Sequence, residues 1–184
     1  MVKQEKQLFI ALKQEDDVGL VIRGHLHIEH QLTEYISKIL PYPEKCDWEK
    51  VGYSGKVELA ISCGLPNNIR PILEKLGELR NDFTSNLDAM IEPNWVLDTY
   101  SSLPKHLKSG LEKSYKTMDL DLQNKTSKLN TKDLLVLIFI SVCRAITPEN
   151  KAPSRTQARQ RATPVTTAKK QKAKPKISPP RTIR

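Results

Sequence analysis

The chain has 184 residues, of which 38% are hydrophobic, and a formal net charge of +9. Residues 147–184 hold eleven Lys or Arg against one acid, whereas residues 1–146 hold nineteen against twenty, so the positive excess belongs to the C-terminal segment. The most apolar run, residues 134–143, is far shorter than the ~20 residues that span a bilayer, and residues 1–15 show no signal-peptide pattern; both features predict a cytoplasmic protein that does not enter the membrane.

Helical periodicity begins at residue 17, after a charged stretch, residues 1–16, that we interpret as an N-terminal lead-in. Apolar side chains then recur every three or four residues until Pro41 and Pro43 end the first predicted helix. This stripe comprises Val18, Val21, Ile22, His25, Ile28, Leu32, Tyr35, Ile36 and Ile39. After a loop at 41–53, a short helix is predicted to begin at Ser54, which is a suitable N-cap. It should end near Gly64, because glycine readily adopts the left-handed conformation in which many helices end. A third helix is predicted over residues 68–87.

Residues 93–118 are predicted to be helical with a break near Pro104, and the polar residues 119–130 are predicted to form a loop. Thr131 is a suitable N-cap for the last helix, which is apolar on all sides and should therefore lie at the centre of a bundle. No period-2 pattern indicates a strand. The sequence thus predicts an all-α fold, a compact bundle of about five helices over residues 17–146.

The segment 147–184 is rich in Pro, Thr, Lys and Arg and has almost no large apolar side chains, a composition that predicts disorder. Its positive charge favours salt-dependent contact with nucleic acid, although the absence of aromatic residues excludes base stacking. A tail that only increases solubility has the same composition, and that interpretation stays open. The residues that would contact phosphates are Arg155, Arg159, Arg161, Lys169, Lys170, Lys172 and Lys174.

The three cysteines are far apart and form no CxxC pair, which indicates reduced thiols in the core rather than a zinc motif. His27, His30 and Glu34 share one polar helix face with Arg23, but this set offers too few ligands for a metal. We therefore expect a solvated or partner-facing surface, with no metal and no cofactor. His25 falls on the apolar stripe and is expected to be a core histidine.

Arg80 is predicted to lie beside Leu76 and Phe83 on the apolar stripe of the third helix. Because an unpaired buried charge is costly, its guanidinium must either line a pocket or reach an acid or water from a packed stem. The spacing alone leaves both possibilities open.

Three short segments carry a family resemblance through their order and spacing: 23–34 (RGHLHIEHQLTE), 56–65 (KVELAISCGL) and 76–83 (LGELRNDF). Over about residues 17–100 they resemble HEPN-like helical proteins, particularly the mannitol operon repressor-like group. Active HEPN proteins cut RNA at a dimer interface with the Arg and His of an R-x(4–6)-H motif. The Arg stabilises charge on the phosphate and the His transfers a proton. Here Arg80 and Asn81 match, but Ser85 stands where the His is expected.

This resemblance implies a homodimeric, non-enzymatic module for transcriptional regulation or for binding a protein partner. The expected groove residues are Arg80, Asn81, Ser85, His27, His30 and Glu34. The main alternative is a HEPN-type RNA endonuclease of toxin or antiphage type that uses Arg80, with His27 or His30 supplying the missing imidazole. A third possibility is an accessory protein tethered to nucleic acid, whose function resides mainly in its tail.

Overall fold

The computed structural model describes residues 2–117 and 130–147, and these residues contain seven α-helices and two short 3₁₀ turns. The helices are α1 (Val2–Gln14), α2 (Asp17–Ile39), α3 (Tyr53–Ser62), α4 (Arg70–Ser85), α5 (Pro93–Ser102), α6 (Lys105–Thr117) and α7 (Thr131–Ile146), and the turns are Pro43–Lys45 and Asn67–Ile69. The all-α prediction is confirmed. There are more helices than expected because residues 2–14 are helical and because Pro104 separates α5 from α6. The predicted polar loop, apart from Asn130, and residues 148–184 of the basic tail lie outside the described residues.

The N-terminal stretch that was expected to be a lead-in is helix α1, which packs against α7 and belongs to the same core. Phe9 and Leu12 are only 2% and 1% exposed. Lys13 Nζ also lies 3.0 Å from Asp133 Oδ2 of α7. Sequence periodicity did not indicate this helix, because its apolar side chains form one short run at residues 8–12 instead of a repeating stripe.

Helix α7 lies at the centre of the bundle, as its all-round apolar sequence predicted. Every residue from 134 to 143 is buried, and α1, α2, α5 and α6 pack around it. Asn130 caps this helix by accepting a hydrogen bond from the Asp133 amide at 2.7 Å, one residue before the predicted cap. Ser141, the polar residue in the middle of α7, donates its hydroxyl hydrogen to the Leu107 carbonyl of α6 at 2.8 Å.

Helix α2 crosses α7 closely because Gly24 has no side chain. A Cβ atom added to Gly24 would lie 2.8 Å from ring carbons of Phe139. The buried face of α2 comprises Leu20, Val21, Gly24, His25, Ile28, Leu32, Tyr35 and Ile36. Val18 was predicted on this face, but it is 48% exposed because it lies at the edge of the stripe.

Helices α2, α3 and α4 pack against one another and hold the polar groups described below. Lys56 of α3 is buried and pairs with Glu29 of α2, with 2.6 Å between Nζ and Oε1. Gly64 has φ +107°, which agrees with the predicted left-handed end of this helix. No helix among the described residues is long and apolar enough to cross a membrane.

Candidate functional site

A polar cavity of about 410 Å³ lies between α2, α3 and α4. Its walls are formed by His25 of α2, by the first turns of α3 and by the outer face of α4. Tyr53 is held at this cavity by a hydrogen bond from its hydroxyl to the Leu73 carbonyl at 2.8 Å. Gly77 makes room for the ring, since a Cβ atom there would lie 2.8 Å from Tyr53 Cε1.

His25 is the buried polar group of this cavity, with only 2% of its surface exposed. Its ring centroid lies 4.2 Å from that of Tyr53, at an interplanar angle of 49°. Burial, and secondarily the charge of Arg80, lower the pKa of His25 to about 4, although Glu29 acts in the opposite direction. The imidazole is therefore neutral at pH 7. Its Nε2 atom is buried without a hydrogen-bond partner among the described residues.

Arg80 and Asn81 of α4 also line the cavity. The Arg80 side chain is exposed, and its Nη1 donates a hydrogen bond to Asn81 Oδ1 at 3.1 Å. Arg80 forms no ion pair with a carboxylate in the described part of the chain. The guanidinium of Arg80 thus lines the cavity and is also exposed to water, so both possibilities that its position in the sequence left open stay open.

Three carboxylates, those of Glu58, Glu74 and Glu78, line the same cavity. Glu58 is paired with Arg70, whose Nη2 lies 3.0 Å from Oε2, and this hydrogen bonding lowers the pKa of Glu58. Glu74 lies 3.8 Å from the same guanidinium. The cavity is thus acidic along α4 and basic only at Arg80.

The first turn of α3 lies at the cavity. Gly52 is the N-cap and provides no side-chain hydrogen bond to the helix. The amides at the start of an α-helix have no partner within the helix, and the helix dipole makes this end electropositive. Gly52, Tyr53, Ser54 and Gly55 all line the cavity, so the electropositive end of α3 lies beside it.

The other predicted groove residues do not join Arg80 and Asn81. Ser85 is exposed at the end of α4, outside this cavity, and its hydroxyl donates to the Asn81 carbonyl at 2.8 Å. His27 instead lines a second cavity of about 380 Å³ between α1, α2 and α7. Burial and the neighbouring His30 lower its pKa. His30 and Glu34 are exposed on α2 and line neither of these two cavities.

His25 is the residue of this site that sequence reasoning assigned to the core alone. It does lie on the buried stripe, but that stripe faces α3 and α4 as well as α7. Only the packing of the helices shows that a cavity lies beside His25. The sequence spacing of His25 from Arg23 and Glu29 did not indicate this cavity.

The seven predicted nucleic-acid contacts lie outside the described residues: Arg155, Arg159, Arg161, Lys169, Lys170, Lys172 and Lys174. Within residues 2–117 and 130–147, no group of three or more His, Cys, Asp or Glu side chains is arranged to hold a metal ion. Cys46, Cys63 and Cys143 are free thiols. Burial raises the pKa of Cys143 to about 12 and also raises that of Cys63.

Comparisons of the chain with family models, with curated proteins and with solved structures give no match. Fold and site together define an all-α bundle in which one arginine and three carboxylates line a cavity between α2, α3 and α4.

Proposed function

We propose that this chain is a non-enzymatic, cytoplasmic regulatory or protein-interaction module of the mannitol operon repressor-like type. Its helical domain binds a protein partner, and its basic tail contacts nucleic acid. The observation that carries this proposal is that no accessible imidazole lies beside Arg80 in the described part of the chain, where the neighbouring ionisable groups are carboxylates. Ser85 is bonded to carbonyls of its own helix, while His27 lines a different cavity.

The acidic wall of the cavity also supports binding rather than RNA cleavage. An RNA phosphate that approached Arg80 would meet the carboxylates of Glu74 and Glu78 in the same cavity. Like charges in one site repel, whereas a nuclease needs a positively charged surface that attracts the phosphate backbone.

The RNA endonuclease remains a second candidate because His25 lies in the same cavity as Arg80. A neutral imidazole is able to accept a proton, as a general base must. However, His25 is only 2% exposed, and a base needs to approach the 2′-hydroxyl within hydrogen-bond distance. If the protein is an RNA endonuclease, the cavity must rearrange before cleavage so that RNA reaches His25.

Incubation of the purified full-length protein with labelled single-stranded and hairpin RNAs decides between these candidates. We expect no cleavage by the native protein or by Arg80→Ala. Cleavage that is lost in both Arg80→Ala and His25→Gln, but kept in His106→Gln, would establish the endonuclease. His106 is a suitable control because it is an exposed histidine of α6 that does not line this cavity.

RNA binding without cleavage is expected to depend on the tail. Replacing Lys169, Lys170, Lys172 and Lys174 by Ala should reduce the slope of log K against log salt by about 3, because each phosphate contact with a single strand contributes about 0.7. Replacing Lys75 and Lys108 of the domain is the control, and it should leave the slope unchanged. If the slope stayed the same in both variants, the tail would not be the nucleic-acid contact.

A homodimer is supported by the outer face of α2. Val18, Ile22 and Leu26 follow one another at four-residue spacing, and Val18 and Leu26 are 48% and 56% exposed. Apolar side chains in a row on an exposed helix face are typical of a helix-packing interface. Sedimentation velocity should give a dimer for the native chain and a monomer for Leu26→Glu. Leu97→Glu, at a leucine of α5 that is 53% exposed, should remain dimeric.

A further inference from the structure

A third cavity, of about 260 Å³, lies between α2, α6, α7 and the turn that precedes α4. Space remains there because α6 and α7 present small residues, Gly110 and Ala145, to it. A Cβ atom added to Gly110 would meet no atom nearer than Ser141 Oγ, at 3.7 Å. A protein cavity of ~150 Å³ is large enough to bind benzene. This one therefore has room for a ring or a short alkyl chain together with a polar group.

Most of the wall of this cavity is apolar. Leu65, Ile69 and Leu107 are buried core side chains that reach it, and Pro66 and Ala145 complete this part of the wall. Removing apolar surface of a ligand from water against such a wall favours binding roughly in proportion to the area buried. The larger part of an occupant should therefore be apolar.

The hydroxyl of Tyr35 gives an independent indication that a ligand group belongs in the cavity. Tyr35 is 3% exposed and lines the cavity, and its hydroxyl has no hydrogen-bond partner among the described residues. Unlike Nε2 of His25, this hydroxyl keeps accessible surface. It lies at the Gly64 turn, where an added Cβ atom would be 3.7 Å from the hydroxyl oxygen. Buried tyrosine hydroxyls usually have a hydrogen-bond partner, and here a molecule in the cavity is able to provide it.

Tyr35 offers its hydrogen to an acceptor. Burial, and secondarily the neighbouring Cys63, raise the pKa of Tyr35, so its hydroxyl keeps its proton at pH 7. The other two hydroxyls of the cavity, those of Ser141 and Thr147, already donate to backbone carbonyls at 2.8 and 3.0 Å. The ligand group beside Tyr35 should therefore carry an oxygen that accepts a hydrogen bond.

Arg144 brings positive charge to the same cavity. It also lines the cavity that contains His27, where its Nε atom lies 3.9 Å from Glu5 Oε1. A guanidinium has five N–H donors in one plane and accommodates more than one acceptor. The exposed His106 is a further lining residue, whereas no Asp, Glu, Lys or second Arg of the described chain lines this cavity. One guanidinium without a facing acid favours a monoanion over a phosphate dianion.

We propose that this cavity binds a small monocarboxylate with an apolar body. The carboxylate accepts hydrogen bonds from Tyr35 and Arg144, and the apolar body lies against Leu65, Ile69 and Leu107. The site is separate from the cavity beside Arg80. It goes beyond the proposed function and does not depend on it.

Titration of the full-length protein with octanoate or 4-phenylbutyrate, followed by methyl NMR, tests the site. The methyl signals of Leu65, Ile69 and Leu107 should shift, whereas those of Leu87 and Leu97, which are exposed on the surface, should not. The dissociation constant should be on the order of 0.1–1 mM. Acetate, which lacks the apolar body, should bind at least about tenfold more weakly. Comparison of octanoate with 4-phenylbutyrate shows whether the site prefers a chain or a ring.

Four variants assign the roles within the site. Arg144→Gln should weaken octanoate about tenfold and leave uncharged 1-octanol unchanged, which also shows that the cavity still forms. Tyr35→Phe should weaken octanoate about fivefold. Ala145→Leu fills the cavity and should weaken both ligands at least about tenfold. Ala11→Leu, at an exposed alanine of α1, is its matched control and should leave binding unchanged.

Four results would overturn the site. Without shifts from either carboxylate well above the expected dissociation constant, the cavity would hold water only. Equal binding of acetate and octanoate would mean that the apolar wall has no part in binding. Equal shifts at Leu87 and Leu97 would indicate non-specific association with the surface. Equal loss of octanoate and 1-octanol in Arg144→Gln would mean that the guanidinium shapes the cavity instead of binding the anion.

Discussion

The buried imidazole of His25 makes the stability of the fold depend on pH in a direction that the structure specifies. Burial holds its pKa at about 4 in the folded state, against 6.5 in an unfolded chain. Well above pH 6.5 the imidazole is neutral in both states, and its full contribution to stability is present. Between pH 6.5 and pH 4 the unfolded chain takes up a proton that the folded protein does not, so this contribution is lost as the pH falls.

The shift of pKa corresponds to a loss of about 3 kcal/mol between pH 7 and pH 4. Carboxylates titrate over the same interval, so the measured quantity is the difference in unfolding free energy between the native protein and His25→Gln. Urea unfolding followed by circular dichroism at each pH gives this difference. It should shift by about 3 kcal/mol in favour of the variant as the pH falls.

His106→Gln, which removes an exposed imidazole, is the control and should follow the native protein at every pH. His25→Phe is a second variant without a titrating group, and it keeps the test valid if glutamine prevents folding. Parallel curves for the native protein and both His25 variants would refute the reasoning, because they would mean that protons reach this imidazole equally in the folded and unfolded states.

The remaining predictions concern packing and reactivity. Gly24→Ala should lower the free energy of unfolding by about 1–3 kcal/mol, because the added Cβ atom would overlap the Phe139 ring of α7. Gly110→Ala should raise this free energy by about 0.5–1 kcal/mol, because the nearest atom to its added Cβ would be 3.7 Å away and the substitution restricts the unfolded chain. Thermal or urea unfolding measures both effects. Lys56→Met should cost about 2 kcal/mol by leaving Glu29 unpaired, and adding Glu29→Gln should restore part of this stability. Cys143, with its raised pKa and 8% exposure, should resist iodoacetamide at pH 8 until urea unfolds the chain, as mass spectrometry of the alkylated peptides would show.

Each of these expectations has a contrary result. Equal effects of the two glycine substitutions would mean that α2 and α7 adjust their separation freely. A double substitution as unstable as Lys56→Met alone would show that the aliphatic stem of the lysine, rather than its charge, stabilises the contact. Alkylation of Cys143 at the rate of the two half-exposed thiols would indicate that the end of α7 opens frequently.

Periodicity was sufficient to predict most of the fold. The apolar stripe of α2 and the all-round apolar sequence of α7 correctly indicated their buried residues, because burial on a helix repeats with the helical turn. Helix α1 was not predicted, since a short amphipathic helix with a narrow apolar face gives a weak pattern. Its burial depends on a partner, α7, that lies more than 100 residues further along the chain.

The candidate site was predictable only in part. Arg80 and Asn81, which the sequence placed in a groove, both line the cavity, but Arg80 was expected on the apolar stripe and is exposed at its edge. Glu58 reaches the cavity from α3, and sequence spacing within one helix contains no information about a neighbouring helix. The void next to His25 follows from the way three helices meet, which is a property of the packed structure.

The central position of α7 has a consequence for the kinetics of folding. This helix is the last described element in the chain, yet it contacts α1, α2, α5 and α6, so the core joins residues that are distant in sequence. A bundle of consecutive helical hairpins closes short loops and folds rapidly, whereas distant contacts require the entropy of long loops to be lost first. During synthesis, the earlier helices must keep their apolar faces unburied until residue 146 has been added, and over this interval they are open to chaperones and to aggregation.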